Sequence, residues 1–138
     1  MNIEVKISDL NKLYFLEIDT NKNVATIHSK INNDIKYDYH VEVKSKLLVE
    51  IVDELNNVKV DNEVISGKKA LELSEDNRFK DVVKGIINSI KNKNLFLTIT
   101  SLFSKFKSEL KTDISISEIV KLILSETVDL DKWSLIIK

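Results

Sequence analysis

An α/β domain with a mixed β-sheet flanked by helices is the fold class this sequence predicts, on three observations. Apolar residues alternate with polar ones in the early part of the chain, with the period of two that belongs to half-buried strands. From Leu47 onward the apolar residues recur at helical spacing instead. The chain then closes on Trp133-Ser-Leu-Ile-Ile137, which returns to strand chemistry. Strands early, helices late and a closing strand that inserts beside the first ones give a sheet with helices on one or both faces.

Each element has its own justification. Ile3, Val5 and Ile7 alternate with Asn2, Glu4 and Lys6 as a first strand. Leu13 to Ile18 and Val24 to His28 are two more, joined by Asp19-Thr-Asn-Lys-Asn23, a run with hairpin-turn chemistry. Tyr37 to Val43 predicts a fourth, with Tyr37, Tyr39, Val41 and Val43 on one face. Leu47, Leu48, Ile51, Val52 and Leu55 form a helical stripe, with Ser45 as its N-cap and Asn56-Asn57 as its end. Val58 to Val64 reads as a short strand or a loop. Ser66 caps a short helix through Leu73, and Asp76 caps a longer one carrying Phe79, Val82, Val83, Ile86, Ile87 and Ile90.

Asn92-Lys-Asn94 breaks that helix, and Leu95, Phe96, Ile99, Leu102, Phe103, Phe106 and Leu110 mark the next. Its start is ambiguous, since Leu97-Thr-Ile-Thr also suits a strand. Ser115-Ile-Ser-Glu118 is a capping box ahead of Ile119, Val120, Ile123 and Leu124.

Bulk properties exclude several function classes. A chain of 138 residues is read as one domain, residues 1–138. The net charge of −1 gives no global attraction to nucleic acid. There is no cysteine, hence no disulfide or thiolate metal site, and no proline. No apolar stretch is long enough to span a bilayer, and no secretion core opens the chain. Localisation stays open between the cytoplasm and, where an anchor precedes Met1, the extracellular face of the cell membrane. No Gly-x-Ser-x-Gly elbow, P-loop or dinucleotide loop occurs, so no cofactor is expected.

Three stretches carry a family resemblance. The first is Leu13-Tyr-Phe-Leu-Glu-Ile-Asp19 with Val24-Ala-Thr-Ile-His28. The second is Tyr39-His-Val-Glu-Val43 followed by Leu48-Val-Glu-Ile-Val-Asp-Glu-Leu55. The third combines Val64-Ile-Ser-Gly-Lys-Lys-Ala-Leu71, Arg78 through Ile90, and Thr112-Asp-Ile-Ser-Ile-Ser-Glu118. In this order they resemble a shortened LytR-CpsA-Psr domain. That family consists of envelope phosphotransferases, mostly of Gram-positive bacteria, which move glycopolymers from a polyprenyl pyrophosphate carrier onto the cell wall.

The departures from the family pattern bear on activity. The catalytic Asp of the family falls on Asn11, and its Pro-Arg-Asp falls on Lys30, Ile31 and Asn32. Its arginine pair after the Ala-Leu motif meets Ser74 and Glu75. Of the Arg-x-x-Arg opening the long helix only the second remains, as Arg78, the single arginine of the chain. Two insertions that wall the family's active site are reduced to short links at Asn32-Ile35 and Asp61-Val64.

Pyrophosphate cleavage builds negative charge that converging arginines and a carboxylate-held metal stabilise. Losing one such stabiliser costs about 100–1000-fold in rate. The expectation is therefore a non-catalytic relative with a binding, scaffolding or regulatory role at the cell envelope. The alternatives are an active phosphotransferase with relocated ligands and a cytosolic protein-interaction module.

Candidate ligand contacts follow from the resemblance. Arg78 and Lys30 are candidates for a phosphate, with Arg78 set against a plainer reading as the salt-bridge partner of Asp76 or Asp81. The resemblance also implies a lipid groove over Phe79, Val83, Ile86, Ile87, Phe96, Ile99, Phe103 and Phe106, although plain core packing explains such stripes more simply. The implied ligand is a polyprenyl phosphate or another anionic lipid, with a protein partner also open. Lys91, Lys93, Lys105, Lys107 and Lys111 form either a headgroup patch or a solvated face. His28 and His40 sit in strand patterns without a carboxylate cluster, and the pairs Asp61/Glu63 and Asp129/Asp131 read as turn residues, so no metal site is expected.

Overall fold

Strands and helices follow the predicted order in the computed structural model of the chain, which describes residues 1–19, 21, 22, 24–28, 35–126 and 134–137. The strands are β1 (Asn2–Ile7), β2 (Lys12–Asp19), β3 (Val24–His28), β4 (Tyr39–Val43), β5 (Lys59–Val60), β6 (Glu63–Val64), β7 (Lys111–Thr112) and β8 (Ser134–Ile137). The helices are α1 (Ser45–Leu55), α2 (Gly67–Glu75), α3 (Phe79–Lys91), α4 (Leu95–Phe106) and α5 (Ile116–Glu126).

Six strands form one sheet in the order β7-β4-β1-β2-β3-β8, while β5 and β6 make a separate small ribbon. The sheet is mixed: β1 pairs antiparallel to β2 and parallel to β4, and β3 pairs antiparallel to β2 and parallel to β8. The closing strand thus lies beside the early ones, at one edge. Lys30, Asp129, Asp131 and Trp133 lie outside the described residues.

Register sets which face is apolar. Val5 stands opposite Tyr14 and Val41, and Leu16 opposite Ile3 and Ile27. Side chains of cross-strand partners share a face, so these residues with Ile7, Ile18, Ala25 and Val43 form a continuous apolar sheet surface. It packs against Leu47, Leu48, Val52 and Leu55 of α1 and against α2 and α3 through Ala70, Leu73, Phe79 and Val82. Tyr14 stacks on Phe79 with ring centroids 4.2 Å apart and donates a 3.0 Å hydrogen bond to the Ser74 carbonyl. Burial pushes its phenol pKa up. The opposite sheet face carries Glu4, Lys6, Glu17, His28, His40 and Glu42 together with the buried Phe15 and Thr26.

Local chemistry differs from the sequence reading at several ends. Ser45 is the first helical residue of α1, not its cap; Lys44 holds the cap position and makes no side-chain cap bond. Asp9, in the β1–β2 turn, does the capping from outside. Its carboxylate accepts from the Ser45 backbone N–H at 2.8 Å and from the Ser45 hydroxyl. Asp76 closes α2 instead of opening α3, whose cap position is Arg78. Leu97-Thr-Ile-Thr is helical, because Asn94 accepts from the Leu97 N–H at 3.1 Å and starts α4 ahead of it. α4 ends at Phe106, so Leu110 follows the helix.

Tyr37 precedes the fourth strand, and β7 is an edge pairing that the sequence reading does not contain. The Ser66 cap, the Asn56 helix end and the Ser115–Glu118 capping box are as predicted. So is the turn after Asp19, whose carboxylate accepts from the Asn21 and Lys22 N–H groups.

Candidate functional site

α4 walls two adjoining hollows, and its residue spacing explains both. Ile99, Leu102, Phe103 and Phe106 recur at i, i+3, i+4 and i+7, one helical face. They line an apolar cavity of about 200 Å³. Ile51 of α1, Ile90 of α3, Ile119 of α5 and Leu110 complete the wall, so every lining residue is aliphatic or aromatic.

Phe96, Thr100, Phe103, Ser104 and Lys107 form the neighbouring face. All of these but Phe96 line an open groove of about 500 Å³, closed on the other side by Thr112, Ile114, Ser115 and Ile116. Phe103 and Leu110 belong to both hollows. An apolar chamber thus adjoins a mixed trough that carries four hydroxyl side chains, Thr100, Ser104, Thr112 and Ser115, and one ammonium group, Lys107.

The trough's far wall is fixed by the start of α5. Ser115 Oγ accepts from the Glu118 N–H at 3.2 Å and donates to Glu118 Oε1 at 3.0 Å. The Tyr39 hydroxyl also donates to Glu118, which holds the Glu118 carboxyl below its ordinary pKa and raises that of Tyr39. The Asp113 carboxylate accepts from the His40 N–H at 2.7 Å, tying the same segment to β4.

The predicted site residues divide. Ile99, Phe103 and Phe106 line the apolar cavity. Phe79 is buried against Tyr14 in the sheet–helix core, and Val83 and Ile86 pack around that core. Ile87 packs in a second cluster with Ile3, Ile18 and Ala25. Phe96 is 58% exposed.

Arg78 lines neither hollow. Its guanidinium donates to Asp61 at 2.8 Å and to Asp81 at 2.9–3.0 Å, and these two carboxylates push its pKa up. Lys30 lies outside the described residues. Asn11 occupies the β1–β2 turn with φ 53°, a left-handed conformation that asparagine tolerates well. Ser74, which the resemblance sets against a family arginine, is buried and donates to the Ala70 carbonyl.

His28 stands 3.1 Å from Glu17, and His40 lies between Glu4 and Glu42 at 3.6 and 3.8 Å. Among the described residues no group of three His, Cys, Asp or Glu side chains is placed to hold a metal ion. Of the lysines, Lys105 pairs with Glu54 at 2.5 Å and Lys93 donates to the Leu55 carbonyl.

The sequence reading named Lys107 only within a lysine group, and missed the trough residues Thr100 and Ser104 and the contributions of Ile51, Ile90, Leu102, Leu110 and Ile119 to the cavity. The signal for the first set was present, since Phe96, Thr100, Phe103 and Lys107 follow helical spacing. The second set needed the packing of four helices, which no local pattern contains.

No protein-family model matches the chain, and no curated protein matches it in sequence. Solved structures do share its fold. The Lin1025 protein of Listeria innocua superposes with a TM-score of 0.74 at 12% identity, over 99% of this chain and 81% of its own. TagU of B. subtilis gives 0.66 at 15% identity, over 100% of this chain and 83% of its own. TagT bound to LIIa-WTA gives 0.72 at 15% identity, over 99% of this chain and 78% of its own. The chain therefore has the mixed-sheet α/β fold of TagU and TagT.

Proposed function

We propose that this chain is a LytR-CpsA-Psr-like domain of the cell envelope that binds an amphiphile, an isoprenoid or similar apolar chain bearing a phosphate head, without turning it over. The observation that carries the reading is the apolar chamber beside α4, contiguous through Phe103 and Leu110 with a trough that ends in Lys107. A chamber lined only by hydrocarbon takes a hydrocarbon guest, and the adjoining hydroxyl and ammonium groups suit a phosphate oxygen. The fold likeness to TagT, seen with LIIa-WTA, supports a ligand of this kind.

The absence of turnover rests on electrostatics. The single arginine is held by two carboxylates, Asp61 and Asp81, which engage its Nε and Nη2. Asn11 stands where the resemblance expects a catalytic carboxylate. Lys107 can attract one phosphate but cannot supply the converging bidentate donors that a cleaved pyrophosphate needs.

Titration with a short-chain polyprenyl phosphate tests the binding, with Ile51→Phe as the control. That substitution adds ring volume at the chamber wall. It is expected to weaken binding at least tenfold while leaving the melting temperature unchanged or higher. Unchanged affinity in Ile51→Phe removes the chamber from the reading. Mg²⁺-dependent release of phosphate from a polyprenyl pyrophosphate, abolished by Arg78→Ala, overturns the non-catalytic part.

A further inference from the structure

Between Asp81 and Glu109 the chain contains no carboxylate but five lysines, Lys84, Lys91, Lys93, Lys105 and Lys107, although its net charge is −1. This acid-free run covers most of α3 and all of α4. At the start of α4 it also presents two large apolar side chains to solvent, Phe96 at 58% and Leu97 at 62% exposure. Adjacent apolar side chains this exposed have no role in the core, and here they stand three and four residues after Lys93. Lys93 donates to the Leu55 backbone carbonyl, not to a carboxylate. Lys107 and Lys84 are exposed, whereas Lys105 is offset by Glu54.

From this juxtaposition we infer that the α3–α4 corner docks on an anionic phospholipid surface, with Phe96 and Leu97 entering the headgroup–acyl boundary and the surrounding lysines facing the phosphates. Lysines near an anionic leaflet and apolar side chains at its interface act together, neither sufficing alone. A protein partner with an apolar patch would not require an acid-free run of this length, while a negatively charged bilayer does favour one. Docking this way also has a geometric consequence. Phe96 lies on the same helical face as Thr100, Phe103 and Lys107, so α4 would lie along the membrane surface with the trough facing the headgroups and Lys107 at their level. The inference goes beyond the amphiphile reading and does not depend on the chamber being occupied.

Co-sedimentation of the 138-residue chain with phosphatidylglycerol-containing vesicles, against pure phosphatidylcholine vesicles, tests it. The expected result is binding to the anionic vesicles that is lost at high salt, and little binding to neutral ones. The double variant Phe96→Ser, Leu97→Ser is expected to bind about tenfold more weakly. Lys84→Gln combined with Lys107→Gln should also weaken binding and flatten its salt dependence. These side chains are exposed, so circular dichroism and melting temperature should match the parent. Ile51→Phe should leave vesicle binding unchanged, which separates this surface from the chamber. Absence of binding to either vesicle, or equal binding by the Phe96/Leu97 variant, overturns the inference. Self-association removed by the Phe96/Leu97 variant, with no vesicle binding, would assign the corner to a second copy of the chain and overturn it equally.

Discussion

Among the described residues, asparagine and aspartate take one kind of special backbone work and glycine takes another. The left-handed positions belong to Asn11, Asn56, Asp61, Asn62 and Asn77, with φ between 53° and 66°. Both glycines serve close approach instead. A Cβ on Gly67 would stand 2.1 Å from the Val49 carbonyl oxygen, and one on Gly85 would stand 2.5 Å from that of Lys59. Backbone atoms cannot move aside as a flexible side chain can. Gly67→Ala is therefore expected to destabilise by about 3 kcal/mol or more, read as a shift in the urea midpoint. Asn56→Gly should be tolerated, because glycine reaches the same conformation without strain. The Gly67 expectation fails if the alanine variant unfolds at the parental midpoint.

Asp9 gives a residue-scale prediction in pH. The Ser45 hydroxyl and N–H hold its carboxyl below the ordinary value of 3.8. A group whose folded pKa is depressed binds fewer protons when folded, so stability falls as the solution is acidified. Its contribution is complete above about pH 5 and disappears as the pH drops through the folded value. The stability gap between the parent and Asp9→Asn should be constant from neutrality to about pH 5, then close in stronger acid. A gap that persists unchanged in strong acid contradicts this role for Asp9.

At the scale of elements, helix α4 matters most, because it walls both hollows and displays Phe96 and Leu97. Asn94 fixes where it begins, and the same cap turns Leu97-Thr-Ile-Thr helical against its β-branched preference. Asn94→Ala should cost about 1 kcal/mol, with faster amide exchange confined to the first turn of α4. Uniform protection across α4 in that variant would mean that packing, not the cap, sets its start.

The elements themselves were largely legible in the sequence. Periodicity alone located the early strands and α1 through α5, and the closing strand, because burial on one face imposes it. What was not legible depends on distant residues. Asp9 lies 36 positions from Ser45, so no local motif could show that it caps α1. Arg78 beside Asp81 was readable at three-residue spacing, whereas its bond to Asp61 required the β5–β6 ribbon to come close. β7 is two residues long, too short to leave a pattern.

On the scale of the whole molecule, a mixed sheet supports helices on one apolar face, and those helices leave a hydrocarbon-lined chamber between α1, α3, α4 and α5. The greasy stripe in the sequence hinted at such a space, and three of its eight groove candidates line the chamber. Phe79 went to the core and Phe96 to the surface, while Ile99, Phe103 and Phe106 line the chamber. Only the mutual orientation of four helices decides that division.

The direct test is a methyl NMR titration of the isoleucine-labelled chain with a short-chain polyprenyl phosphate. Entry into the chamber should shift the δ1-methyls of Ile51, Ile90, Ile99 and Ile119 together, in a saturable manner, while those of Ile3 and Ile7 in the sheet stay fixed. No shift, or shifts only in isoleucines remote from the chamber, contradicts a ligand-binding role for it.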